Sequence, residues 1–256
     1  MRRFVLLFIS MLSLFANDDA TLAKLFEDYG IKGAMLIESL DGKERFVYNE
    51  ARVKMPLLPA STFKIPNTLI ALDQNVVNEQ SSIAWDKIER SIPAWNKDQT
   101  LESAFKTSCV WCYQRFARQI GLEKYDSYLK KLHYGNEKTG DNVERFWLDG
   151  KLRISAQEQI VFLKKLYRNE LPFRQSDIDL LKKIMIDEQG ESYVIRAKTG
   201  WAVPKNAEHH GWYVGYVESS KGIYFFATNL LAPSSDALPL RKSITMDALA
   251  QKRVLD

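Results

Sequence analysis

The sequence predicts an α+β fold (α/β in the broad sense): an antiparallel sheet flanked by helices, with a mostly helical subdomain inserted between its two halves. Three observations predict it. Segments rich in Val, Ile, Tyr and Phe with little helical periodicity lie near both ends of the chain. The stretch between them, about residues 75–190, repeats its apolar residues mainly at helical spacing. The length of 256 residues, with 46% hydrophobic and 27% charged content, suits one core shared by two intimate parts. The same composition excludes a disordered, collagenous or low-complexity chain.

The elements follow in order. Ala20–Tyr29 has Leu22, Leu25 and Phe26 on one helical face, with Gly30 as C-cap. Ala34–Glu38 and Arg45–Tyr48 read as strands around an Asp41-Gly42 turn. Pro56 and Pro59 interrupt the chain before a helix that begins at Ser61 and runs to about Leu72. Pro66 is late for a first-turn proline, which predicts an irregular or tightened first turn. Helices are expected over Leu101–Thr107, Trp111–Ile120, Glu123–Leu132, Ala156–Tyr167 and Gln175–Met185. Ser155 and Glu158 form a capping box for the fourth. Ser192–Arg196, Gly211–Glu218 and Gly222–Asn229 read as strands, the last two joined as a hairpin through Ser219–Gly222. Pro239–Val254 closes with a helix.

The N-terminal MRRFVLLFISMLSLFANDD has a basic start, an apolar run and a small residue, Ala16, before a polar segment. This is the pattern of a secretory signal peptide over 1–16, leaving one catalytic domain over 17–256. The apolar run is shorter than the roughly 20 residues of a spanning helix, so no permanent membrane anchor is expected. Removing Arg2 and Arg3 halves the net charge of +4. No nucleic-acid partner is expected at so small a bias.

The strongest local feature is Ser61-Thr62-Phe63-Lys64. Residues i and i+3 share a helical face, so a hydroxyl and an amine can enter one cleft, and serine needs such a neighbouring base to become a nucleophile. The helix N-terminus adds donors near Ser61. By itself the pair reads more readily as an N-cap serine and a solvated lysine. Two later segments change that reading. Lys198-Thr199-Gly200 leaves a predicted strand before Trp201, offering a cation, a hydroxyl and room for close approach. Ser108-Cys109-Val110 stands at a helix start, where by itself the serine reads as a simple N-cap. A Ser-x-x-Lys, a middle serine and a Lys-Thr-Gly in this order form a serine acylase signature.

On S61-T-F-K64, S108-C-V110, Y134-G-N136, F146-W147-L148-D149-G150 and K198-T-G-W201, the chain resembles the class D serine beta-lactamases, the oxacillinases. The resemblance covers nearly all of 17–256. It implies the serine beta-lactamase/transpeptidase-like fold and hydrolysis of penicillin-type antibiotics through a Ser61 acyl-enzyme, which confers resistance. Lys64 is implied to be an N6-carboxylysine, the general base of both half-reactions, requiring CO2 or bicarbonate but no separate cofactor. Phe63, Val110, Trp147 and Leu148 are implied to wall it off, with the Trp147 indole donating to the carbamate. Ser108 is implied to relay a proton to the leaving nitrogen with Lys198 in support. Thr199 and Arg241 are implied to bind the substrate carboxylate, and the backbone N–H groups of Ser61 and Trp201, next to Gly200, to form the oxyanion hole. Tyr134-Gly135-Asn136 supports the cleft wall. The periplasm, small beta-lactam partners and a monomer or homodimer complete the expectation. The alternative is a penicillin-binding sensor or a transpeptidase-like protein that acylates but deacylates slowly.

Cys109 and Cys112 read as packed free thiols, with a disulfide as the alternative. Without nearby Asp, Glu or His they make no zinc site, and His133, His209 and His210 are poor ligands, so no metal is expected. Trp95, Trp111, Trp201 and the loop Ala202–His210 are read as gates of substrate choice.

Overall fold

The computed structural model describes residues 18–256, so the signal segment expected over 1–16 lies outside the described residues. Helix α1 (Ala20–Asp28) starts at Asp19, whose carboxylate accepts from the Thr21 and Leu22 N–H groups. Strands β1 (Gly33–Ser39) and β2 (Arg45–Tyr48) pair in antiparallel fashion, and a short α2 (Glu50–Val53) follows. The chain then makes a 3-10 turn, Ala60–Phe63, that runs into α3 (Lys64–Asp73). The tightened first turn expected from Pro66 is thus a full 3-10 segment, and Ser61 lies within it rather than capping an α-helix.

The helices α4 (Leu101–Lys106), α5 (Val110–Ile120), α6 (Leu122–Leu132), α7 (Ala156–Tyr167) and α8 (Gln175–Ile184) match the periodic segments to within a residue or two. The capping box of Ser155 and Glu158 is formed. Between α3 and α4 the chain is irregular, with one 3-10 turn at Pro93–Trp95 and a bridge of Ile83 to Gln99. Strand β3 (Ile186–Gln189) was not expected. Its alternation of half-buried and exposed residues over IDEQ carries too little apolar content to signal a strand. Strand β4 (Tyr193–Ala202) extends past Arg196 and carries Lys198-Thr199-Gly200 inside it. Strands β5 (His210–Ser219) and β6 (Gly222–Leu231) form the expected hairpin, and α9 (Leu240–Gln251) closes the chain.

The six strands form one antiparallel sheet in the order β2-β1-β6-β5-β4-β3, so both ends of the chain build it. Period-two alternation divides its residues between two cores. Met35 and Ile37 pack with Phe226, Ile244 and Leu249 beneath α1 and α9. Ala34 and Leu36 face the other way, into the larger core that holds α3 to α8. Among the described residues no helix is long and apolar enough to cross a membrane.

The turn Tyr134–Asn136 clamps the chain beside this larger core. Asn136 donates from Nδ2 to the Lys151 carbonyl at 2.9 Å, and its Oδ1 accepts from the Arg153 N–H at 2.9 Å. Gly135 has φ +55°, and a Cβ there would sit 2.0 Å from the Arg153 carbonyl oxygen. Gly135→Ala is therefore expected to destabilise the fold by about 2–4 kcal/mol, from left-handed strain plus overpacking. A thermal melt coincident with wild type would refute that backbone contact.

Candidate active site

Four segments meet at one cavity of about 370 Å³. Ser61 enters it from the 3-10 turn, Ser108 and Val110 from the α4–α5 junction, Thr199, Gly200 and Trp201 from β4, and Arg241 from the first turn of α9. Lys64, Trp147 and Lys198 lie immediately behind, all buried. The structure therefore brings together the residues expected to react with substrate or bind it.

The nucleophile turn is held from three sides. Ala60, at φ +48°, donates its N–H to the Trp147 carbonyl at 2.9 Å. Thr62 donates its hydroxyl to the Pro59 carbonyl at 2.8 Å and accepts from Gln159 Nε2 of α7 at 2.8 Å. Gly200 of β4 lies against the same turn: a Cβ there would come within 3.0 Å of the Pro59 carbonyl oxygen. The result fixes Ser61 with its Oγ 3.2 Å from Lys64 Nζ.

Lys64 has no exposed surface. Burial, and then the nearby Lys198 charge, hold its pKa well below the usual lysine value. Its Nζ lies 4.8 Å from the centre of the Tyr113 ring. Phe63 packs on Trp147 and Phe146 to complete an apolar surround. Trp147 is fully buried, and its indole N–H has no acceptor among the described residues. An unmet buried donor costs about 1–3 kcal/mol, so this one marks a place for an acceptor.

Lys198 donates from Nζ to Ser108 Oγ at 2.6 Å and to the Thr199 carbonyl at 3.2 Å. Ser108 is not an N-cap: Cys109 holds that position, and Ser108 has φ +56°. The left-handed residue breaks the chain between α4 and α5 and aims its hydroxyl at Lys198. Cys109 and Cys112 are joined by a disulfide, so the free-thiol expectation is corrected. Three residues apart across the first helical turn, their sulfurs are close enough to bond. The link ties the turn that presents Ser108.

Burial and then Arg241 bring the Lys198 pKa down to about 7. Its ammonium form is present below that pH and is lost as pH rises through it. The alkaline limb of kcat/KM is therefore expected near pH 7, and to move upward in Arg241→Ala, which removes the second cause. A limb unmoved by that substitution excludes Lys198 as its source.

The edge of β4 supplies more. Ala197 donates its N–H to the Met185 carbonyl, towards the β3 side. The β4–β5 register is regular through Ala202, so the Thr199 and Trp201 N–H groups point the same way, past the end of β3. Ser61, early in its turn, lies where N–H groups lack intrahelical acceptors. The two N–H groups expected to form an anion hole thus belong to an open strand edge and a helix start.

Arg241 donates from Nη1 to the Gly200 carbonyl at 2.9 Å, and burial brings its pKa down to about 10, so it stays charged at neutral pH. Trp95 and Trp201 line the cavity, as expected of gates; Trp111 does not, and instead donates its indole N–H to the Trp95 carbonyl at 3.0 Å. The lining also includes Ile92, Lys106, Thr107 and Leu238, none of which the sequence singled out. They come from turns and helix ends whose approach is tertiary, although Leu238 could have been suspected from its place three residues before Arg241.

Residues 33–250 match the family described as the penicillin binding protein transpeptidase domain. The chain is 42% identical to beta-lactamase OXA-48 of Klebsiella pneumoniae over 231 residues, which is 90% of this chain and 87% of that one. It is 45% identical to beta-lactamase OXA-20 of Pseudomonas aeruginosa over 221 residues, 85% of this chain and 81% of that one. The crystal structure of FUS-1 (OXA-85), a class D beta-lactamase from Fusobacterium nucleatum subsp. polymorphum, superposes with a TM-score of 0.90 at 35% identity, covering 94% of this chain and all of that one. With that identity spread over most of its length, and with the acylase motifs assembled at one cavity, the chain belongs to the class D beta-lactamases.

Proposed function

We propose that this protein hydrolyses the beta-lactam amide of penicillin-type antibiotics through a Ser61 acyl-enzyme and so confers resistance to them. The observation that carries the reading is Ser61 Oγ bonded to a buried Lys64 whose ammonium form is disfavoured. A deprotonated amine is also what CO2 requires for carbamate formation. The orphaned Trp147 donor fits that group, and Phe63 and Trp147 limit access of water to it. When present on Lys64, the carbamate supplies an anionic base for the serine proton and for the deacylating water.

The remaining roles belong to the chain itself. Thr199 and Arg241 orient the substrate carboxylate, a planar group matched by a guanidinium. Ser61 Oγ bonds to the lactam carbonyl carbon as its proton leaves towards Lys64. The Ser61 and Trp201 N–H groups stabilise the charge on the carbonyl oxygen. The C–N bond breaks, and the nitrogen takes a proton relayed by Ser108, which Lys198 holds in place. Water then attacks the ester, its C–O bond breaks, and Ser61 regains its proton. Export by the segment 1–16 would place this chemistry in the periplasm.

A chromogenic beta-lactam, with bicarbonate added, tests the reading. Multiple turnovers support it. A persistent Ser61 adduct without turnover would instead identify a sensor or transpeptidase-like protein, and no adduct would exclude serine acylation.

A further inference from the structure

We propose that a second cavity, behind the nucleophile turn, binds a small organic carboxylate with an apolar body. The cavity measures about 390 Å³, within the usual range of small-molecule sites, and shares no lining residue with the catalytic one. Its apolar walls are the segment Met55–Leu58 and the loop residues Pro204 and Ala207.

Its polar groups are cationic. Arg52 is fixed by donation from Nε to Asn229 Oδ1 at 2.8 Å, and its nearest carboxylate, on Glu208, is 3.8 Å from Nη1 and largely exposed. Arg153 donates from Nη1 to the Gly150 and Leu152 carbonyls at 2.7 and 2.8 Å, with only main-chain oxygens as partners. Burial lowers the pKa of both guanidiniums, the mark of cations short of compensation. His210 is the third group. Its Nε2 lies 3.0 Å from the Leu58 carbonyl oxygen and its Nδ1 3.3 Å from that of Glu208. A neutral imidazole has one N–H, so one ring nitrogen meets a carbonyl oxygen with no proton between them. A protonated ring could donate to both, but burial, Arg52 and Arg153 oppose the charge. A carboxylate on the two guanidiniums removes part of that opposition. Glu208, the only carboxylate among the described residues that line the cavity, competes for Arg52 from an exposed position.

The site touches the catalytic backbone. The Leu58 carbonyl accepts from both His210 and Trp212 Nε1, three residues before Ser61. Ala202, paired with His210, follows Trp201. Binding does not depend on hydrolysis, so this proposal and the proposed function fail separately.

Calorimetric titration of the full chain with phenylacetate is the test. Saturable binding is expected to survive Arg241→Ala, which disables the catalytic carboxylate site, and to weaken about tenfold or more in Arg52→Gln and Arg153→Gln. Arg153→Lys, which keeps the charge but loses the fork, provides a conservative check should Arg153→Gln fail to fold. Acetate, lacking the apolar body, should bind about tenfold more weakly. Burial and the two arginines hold the unliganded ring below the ordinary histidine value of about 6.5, so affinity should rise as pH falls to and below that value, and lose that dependence in His210→Gln. No saturable binding, or binding lost in Arg241→Ala and intact in Arg153→Gln and Arg153→Lys, overturns the proposal.

Discussion

Lys64→Ala is expected to lower kcat/KM for a beta-lactam by about 10³-fold or more, since it removes the proposed base beside Ser61 together with any group carried on it. The same variant carries a stability signature. Burial disfavours the Lys64 ammonium, so its folded pKa lies well below the unfolded one. Below the unfolded value the unfolded chain binds more protons than the native one, and stability rises with pH. The penalty is therefore absent above the lysine range and grows as pH falls from it towards the folded pKa. Lys64→Ala, relieved of that penalty, should gain stability relative to wild type as pH is lowered, measured by denaturant melts in buffers freed of CO2. Parallel stability–pH curves for the two proteins would mean that Lys64 is not buried as described. Unchanged turnover would sink its role as base.

Trp147→Phe separates the indole donor from the packing that surrounds it. The ring still stacks beside Phe63, but the N–H that meets no acceptor in the unmodified site is gone. A hydrogen bond to an anion contributes about 1.5–3 kcal/mol, so the apparent affinity for CO2 should fall by about 10–100-fold. The expected result is low activity at ambient bicarbonate that recovers as bicarbonate is raised. A purely structural tryptophan would leave the bicarbonate dependence where it is in wild type and change only the melting temperature.

Ser61, Lys64 and Lys198-Thr199-Gly200 were legible because each rests on local geometry. One helical turn brings i and i+3 together, and one strand exposes an edge. The capping box at Ser155 and the alternation in β1 and β6 are local in the same sense. Ser108 was legible as a residue, but its backbone was not. Nothing in Ser-Cys-Val announces a left-handed backbone, which follows from the need to turn the chain between α4 and α5. The disulfide was undecided for a related reason: the spacing permits it, but the backbone geometry at the start of α5 determines whether the sulfurs meet. Strand β3 was missed because the sheet supplies its order, through pairing with β4, and its own residues do not. The orphaned indole of Trp147 could be seen only once the surrounding aromatic residues were in place.

The most direct measurement is a carbon-13 NMR spectrum of the full chain in labelled bicarbonate, recorded alongside the rate of beta-lactam hydrolysis. A base formed on a buried Lys64 whose ammonium form is disfavoured predicts one protein-bound carbamate signal. That signal should titrate with bicarbonate in step with activity, weaken in Trp147→Phe and be absent in Lys64→Ala. Full turnover with no carbamate signal, or a signal that persists in Lys64→Ala, would contradict it.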